Sequence, residues 1–273
     1  MTDPFVIERP DPSRELPVVV EVPHAGVSID PPSLAYMVAP IRSLGRDADL
    51  YVDEVFRGAA SWGATLLVAR LSRFVVDLNR ARDDYDGHSA EGGMAENRPR
   101  GLIWRTTTEG EPILLRRLPR TEVERRLELV YDPYHQTLAR LLAEKKAKFG
   151  FAILLAGHSM PSTGRRGHVD VGRGRADVVP GTRGRTTAGP EVIACAEQAA
   201  EKAGFSLRHD DPYQGGYSTT AYGRPDDGVH ALQIELARRV YMDEDALVLS
   251  PEGLGRTRGF AEDLVRRLGA VSP

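Results

Sequence analysis

The sequence predicts an α/β sandwich built on a mixed, mainly parallel sheet. Two observations carry this expectation. Brief apolar runs at 16–22, 64–70, 74–79, 151–156 and 229–236 are continuous rather than alternating, as strands covered on both faces are. Between them lie stretches of helical periodicity, so strands and helices take turns along the chain.

The elements follow in order. "LPVVVEV" (16–22) is β-branched and stops at Pro23, which has no N–H to continue a ladder. From 47 to 62 the apolar residues Ala48, Val52, Val55, Phe56 and Ala59 share one helical face. "ATLLVAR" (64–70) and "FVVDLN" (74–79) read as strands. Residues 81–112 are rich in Gly, Asp, Glu, Arg and Pro and are expected to make a long surface excursion; such loops are often functional. "TEVE" (121–124) fits a capping box, with Thr121 as cap and Glu124 three residues on. A helix to about 148 follows, burying Val123, Leu127, Val130, Tyr134, Leu138 and Leu141. The strand "FAILLA" (151–156) leads into an irregular, basic excursion at 160–187. A helix at 190–203, a strand at 229–236 and a helix at 253–268 complete one domain over 1–273.

Composition removes several function classes. The formal charge of −3 gives no global basic field for nucleic acid. The arginines of 165–185 are separated by Gly, Thr and Pro without interleaved aromatics, so they suggest a loop facing a small anion. No apolar run approaches the ~20 residues of a membrane span. One cysteine, Cys195, rules out an internal disulfide and a cysteine-rich zinc site. The opening "MTDPFVIERPDP" lacks the basic start and apolar core of a secretory signal. A cytoplasmic location is the simplest expectation.

In sheets of this type, sites form at the carboxyl ends of strands. His24 follows the first strand, Asn79 and Arg80 follow "VVDL", His158 follows "FAILLA", and Glu235 sits among apolar neighbours in "VHALQIEL". On parallel neighbouring strands these groups converge. Two neutral imidazoles and a carboxylate are a common catalytic zinc set with one position left open. A nearby carboxylate then serves as proton acceptor and donor. Arg80 can hold a substrate carboxylate through its planar fork. The third ligand is open among Asp49, Asp53 and Asp30, with Asp49 favoured because it adjoins the apolar stripe of its helix. Asp47 projects elsewhere. Asp77 is expected beside the ligands, and His135, on the long helix, is expected to be a core or supporting group.

At these residues the sequence resembles the N-formylglutamate amidohydrolase family over roughly 17–245. The resemblance rests on "VEVPHAG" (20–26), "DADLYVDEVF" (47–56), "SRFVVDLNRARDD" (72–84), "DPYHQTL" (132–138), "AGHSM" (156–160), "PGTRGRT" (180–186) and "GGYSTTAYGRPDDGVHALQIELARRVYMDE" (215–244). It implies a three-layer α/β/α fold distantly similar to the zinc carboxypeptidases. It implies zinc-dependent hydrolysis of an N-acyl amide on an amino acid, most simply N-formyl-L-glutamate to formate and glutamate. In that reading His24 and His158 are ligands, Glu235 is the general base and Arg80 anchors a carboxylate. Arg165, with Arg166 and Arg173, is expected to meet a second substrate carboxylate. Gly216 and Tyr217 are expected to shape the site, with the glycine allowing close backbone approach.

Three other readings are distinguishable. The same chemistry can serve another N-acyl amino acid or a peptide C-terminus. "GHSMPSTG" (157–164) places Ser159 between glycines, but a nucleophile elbow needs G-x-S-x-G and a following helix; Pro161 spoils both. A fold of this type can also bind without cutting.

Overall fold

The structure, a computed structural model, describes residues 3–166 and 168–272. Six strands form one sheet: β1 (Phe5–Glu8), β2 (Val18–Val22), β3 (Thr65–Ala69), β4 (Ala152–Met160), β5 (Val178–Gly181) and β6 (Val229–Ala237), in spatial order β1-β3-β2-β4-β6-β5. The four central strands are parallel, and β1 and β5 flank them antiparallel. A hairpin of β7 (Met242–Asp243) and β8 (Val248–Leu249) stands apart from this sheet. The helices are α1 (Pro31–Leu34), α2 (Ile41–Asp47), α3 (Val52–Phe56), α4 (Ala59–Trp62), α5 (Arg120–Arg126), α6 (Asp132–Phe149), α7 (Pro190–Ala203), α8 (Tyr217–Tyr222) and α9 (Pro251–Ala270).

Both sheet faces are covered, which is why the central strands read as unbroken apolar runs. Val18, Val20 and Val22 of β2, with Ile153 and Leu155 of β4, pack toward α3, α7 and α9 through Phe56, Val192, Ala196, Phe260 and Leu264. The alternate residues Val19, Ala152 and Leu154 pack toward α5 and α6 through Val123, Tyr134, Leu138 and Leu141. Three layers result. Each fully buried large side chain, such as Phe56 at 0% exposure, contributes roughly 1.5–3 kcal/mol.

Several local expectations differ from the structure. "FVVDLN" is not a strand: residues 72–80 form successive turns, and Val75, Val76 and Leu78 are buried beneath α5 and α6. A short apolar run has no period that separates strand from buried irregular chain. The helix expected at 47–62 is instead two short pieces, α3 and α4, separated from the end of α2 by a bend at 48–51 where Tyr51 takes a left-handed φ of 67°. The capping box does not form, because α5 begins at Arg120 behind Pro119 and no side chain caps it. Between α5 and α6 lies one π-helical turn, Leu127–Tyr131, ending just before Pro133 at the start of α6. A proline has no N–H for the turn behind it, and a widened turn accommodates that loss. β4 continues to Met160, so "GHSM" is the end of a strand, not a turn. The basic excursion contains β5, which closes the sheet's edge beside β6.

The chain passes from β2 outward to β3 on one side, and from β4 outward to β6 on the other. The reversal falls between β2 and β4, the place where α/β sheets open a crevice at their strand ends.

Candidate metal centre and active site

His24 leaves β2 two residues past its end, and His158 stands near the carboxyl end of the adjacent β4. Their ring centroids are 4.9 Å apart. Gly26 lets β2's exit cross the end of β3: a Cβ there would lie 2.4 Å from the Arg70 carbonyl carbon. Asp49 reaches the pair from the bend between α2 and α3, where its backbone N–H donates to His24 O at 2.9 Å. One nitrogen of each imidazole and one Asp49 oxygen lie within 4.8 Å of one another, and all three residues are buried. Asp53 and Asp30 are not in this group. Asp53 lies on α3, and Asp30 pairs with Arg125 at 2.8 Å.

The donor set fits a divalent ion such as zinc. Asp77 Oδ1 lies 2.8 Å from His24 Nε2, which fixes that nitrogen as the proton carrier. His24 Nδ1 is then a buried lone pair without a hydrogen-bond partner, 3.6 Å from Asp49 Oδ2. His158 Nδ1 lies 2.8 Å from the same oxygen. Two imidazoles and a carboxylate turned inward, backed by a second carboxylate, make a usual zinc environment. Burial alone would raise the Asp49 pKa, yet the hydrogen bond from His158 and the closeness of both imidazoles hold it well below the usual carboxylate range. Burial likewise opposes charge on His158, and Asp49 reverses that effect and raises its pKa.

Asp77 is the keystone of the turns at 72–80. Its carboxylate also accepts from Arg73 Nη2 (2.7 Å), Trp104 Nε1 (3.0 Å) and the Asn79 backbone N–H (2.9 Å). Those four donors account for the chain's departure from strand geometry. Burial would raise the Asp77 pKa, but Arg73 and His24 pull it well below its ordinary value.

Glu235 is set by register. Residues 158 and 235 are Cα partners on parallel β4 and β6, so their side chains project from the same sheet face, side by side. Burial pushes the Glu235 carboxyl up, opposed by His158. Gln233 Nε2, two residues back on the same face, donates to Glu235 Oε1 at 2.9 Å. Gln233 Oε1 accepts from Gly216 N at 2.9 Å and from Asn79 Nδ2 at 3.3 Å. Asn79 Oδ1 in turn accepts from Ser218 N at 2.9 Å. Gly216 must be small, since a Cβ would sit 2.3 Å from Asn79 Nδ2.

These groups open onto a cavity of about 560 Å³. His24, Asp49, Asn79, Arg80, His158, Gly216, Tyr217 and Glu235 all line it. Arg165 does not. Its guanidinium lies 3.5 Å from Glu244, outside the cavity wall. Arg173 pairs with Asp211 and Asp170, and Arg166 is exposed away from the wall. The excursion holding them is pinned by buried Arg175, whose guanidinium meets Asp170 at 2.8 Å. Four arginines do line the cavity: Arg73, Arg80, Arg98 and Arg183. Against them stand the carboxylates Asp49, Asp84 and Glu235. Ser159 touches the wall, but its Oγ accepts from buried Arg238 at 3.4 Å and meets no histidine among the described residues. A serine nucleophile has no base here.

Sequence reasoning missed Arg73, Gln233, Arg183 and Tyr213. Gln233 carried a signal, two residues before Glu235 on one strand face. Arg183 lay within a quoted motif. Tyr213 carried none; its hydroxyl accepts from Arg175 at 3.4 Å, and burial and the nearby Glu235 charge raise its pKa.

The sequence pattern described as N-formylglutamate amidohydrolase matches residues 16–242. The chain belongs to this family. An N-formylglutamate deformylase of Pseudomonas aeruginosa is 35% identical over 234 residues, spanning 85% of this chain and 84% of the relative. One from Pseudomonas putida is 35% identical over 236 residues, spanning 84% and 83%. The crystal structure of N-formylglutamate amidohydrolase from Ralstonia eutropha superposes with a TM-score of 0.89 at 30% identity, covering 98% of this chain and 97% of that one. A structure from Agrobacterium tumefaciens, 18% identical with a TM-score of 0.73, shares the fold. No helix among the described residues is long and apolar enough to cross a membrane.

Proposed function

We propose that this chain hydrolyses the N-formyl amide of an acidic amino acid, with N-formyl-L-glutamate as the principal substrate and zinc as cofactor. The observation that carries the reading is the pairing of Glu235 with His158 in register, beside the inward-facing donors of His24, Asp49 and His158. That the two Pseudomonas relatives are N-formylglutamate deformylases supports the substrate.

His24 Nδ1, His158 Nδ1 and Asp49 would hold the ion. When bound, it supplies a Lewis acid for the formyl oxygen and lowers the pKa of water toward ~7. The remaining work belongs to the chain. Glu235 takes the proton of the attacking water and delivers it to the departing nitrogen, so that formate and a free amine result. Its raised affinity for protons, caused by burial, suits both halves of that transfer. Gln233 occupies Oε1 and leaves Oε2 for the shuttle. Arg80, beside Asn79, pairs with the substrate's α-carboxylate. Tyr213 accepts from Arg175 and keeps its own proton to donate into the cavity.

Formate release from N-formyl-L-glutamate by the zinc-loaded protein tests this reading, with N-acetyl and N-succinyl amino acids alongside. Turnover of N-formyl-L-glutamate is expected, abolished by a chelator and restored by zinc. Turnover of a different acyl amino acid alone would keep the hydrolase and change the substrate. No turnover of any, with zinc restored, would leave a binding protein.

A further inference from the structure

Building on the proposed reaction, we infer that Arg183 is the specificity-determining residue for the substrate's second, side-chain carboxylate. Three of the cavity's four arginines already have carboxylate partners. Arg73 meets Asp77 at 2.7 Å, Arg98 meets Asp84 at 3.0 Å and Glu96 at 2.8 Å, and Arg80 lies 3.9 Å from Asp84. Arg183 pairs with no carboxylate among the described residues. Among those residues its side chain makes one hydrogen bond, from Nη1 to Gly215 O at 3.3 Å.

The backbone beneath Arg183 is held in a conformation that side chains seldom adopt. Arg183, Gly184 and Arg185 have φ of 52°, 71° and 66° in succession. Their neighbours over-determine the turn. Asp210 accepts from Thr182 N at 2.8 Å and from Gly184 N at 2.9 Å, while Thr182 Oγ1 accepts from Arg185 N at 3.1 Å. Arg183 N donates to Gln214 O at 2.8 Å. Strain maintained in this way at a ligand cavity commonly serves to aim a side chain.

The two ends of the substrate then find two cations. The α-carboxylate is attached to the carbon that bears the scissile nitrogen, so it belongs next to the metal donors. Arg80 is there, following Asn79, whose Nδ2 lies 3.3 Å from His158 Nε2. The side-chain carboxylate lies further from the carbon bearing the scissile nitrogen, and exposed Arg183 lines the same cavity with residues 213–217. An arginine fork with no carboxylate partner of its own pairs with a carboxylate through two charge-assisted hydrogen bonds, whereas a neutral amide of the same shape offers one acceptor and no charge.

The experiment compares kcat/KM on N-formyl-L-glutamate and N-formyl-L-glutamine for wild type, Arg183→Gln and Arg183→Lys, all zinc-loaded. Wild type should prefer glutamate. In Arg183→Gln that preference should fall by roughly 30–100-fold, mostly through KM for the charged substrate. Arg183→Lys keeps the charge without the fork and should fall between the two. Should Arg183→Gln fail to fold, the lysine variant alone carries the test, and an undiminished preference in it overturns the inference. Equal losses on both substrates, or an unchanged preference, overturn it too and leave the proposed reaction standing. No turnover of either substrate by wild type removes both.

Discussion

Asp77 Oδ1 and His24 Nε2 are 2.8 Å apart, and that contact turns the other nitrogen of His24 toward Asp49 and His158. Asp77 is itself neutralised by Arg73 and held by Trp104. Asp77→Asn should therefore loosen the centre without touching a donor. Zinc affinity, read by competition with a chelator, is expected to fall by about 10–100-fold. An unchanged affinity would mean that packing, not Asp77, sets the ring.

The third ligand separates two neighbouring aspartates. Asp49 is buried against both imidazoles, and Asp53 sits on α3 outside the group. Elemental analysis of purified protein should find near-stoichiometric zinc in wild type and in Asp53→Asn. It should find little in Asp49→Asn and in His158→Ala. Retention by Asp49→Asn would return Asp53 or Asp30 to consideration.

What the sequence made legible follows from which features have a local signature. Continuous apolar runs marked β2, β3, β4 and β6, because strands covered on both faces carry no polar alternation. Polar residues just past those runs marked His24 and His158. The bend that aims Asp49 has no such signature, since the positive φ at Tyr51 is imposed by packing on a residue that seldom takes it. Nor does the loop at 72–80, whose course is dictated by donors as distant as Trp104 and His24 converging on Asp77. Arg165 was misplaced for a related reason. A basic loop announces its charge, but whether Glu244 or a substrate receives it depends on tertiary contacts.

Glu235→Gln keeps the shape of the side chain and the contact from Gln233 while removing the proton shuttle. The loss in kcat is expected to be about 10²–10⁴-fold, with KM little changed and zinc retained. Steady-state kinetics with a parallel metal determination decides it. A variant within a few-fold of wild type would assign the proton transfers elsewhere.

Ser159→Ala tests the remaining hydrolase mechanism. Ser159 Oγ faces Arg238, so the variant should stay within about 3-fold of wild type and remain sensitive to chelation. Inactivation together with chelator resistance would instead identify a serine nucleophile.

His135 ties stability to the backbone of the site. It lies in α6, where its Nε2–H donates to Leu78 O at 3.0 Å, one residue before Asn79, and Tyr222 donates to its Nδ1 at 2.9 Å. Burial pushes its pKa down to about 4 from an ordinary 6.5. The folded protein thus resists a proton that the unfolded chain accepts between those two values. Unfolded chains bind more protons in that window, so stability falls as pH is lowered through it and the loss is complete below about 4. The full contribution is roughly 3 kcal/mol, of which about 2 kcal/mol is lost by about pH 5. His135→Gln still donates to Leu78 O but does not titrate. Urea unfolding at about pH 8 and about pH 5 should show wild type losing about 2 kcal/mol more than the variant on acidification. Equal losses in the two proteins would show that His135 is not protonated on unfolding in this range, and that the acid sensitivity lies with other groups.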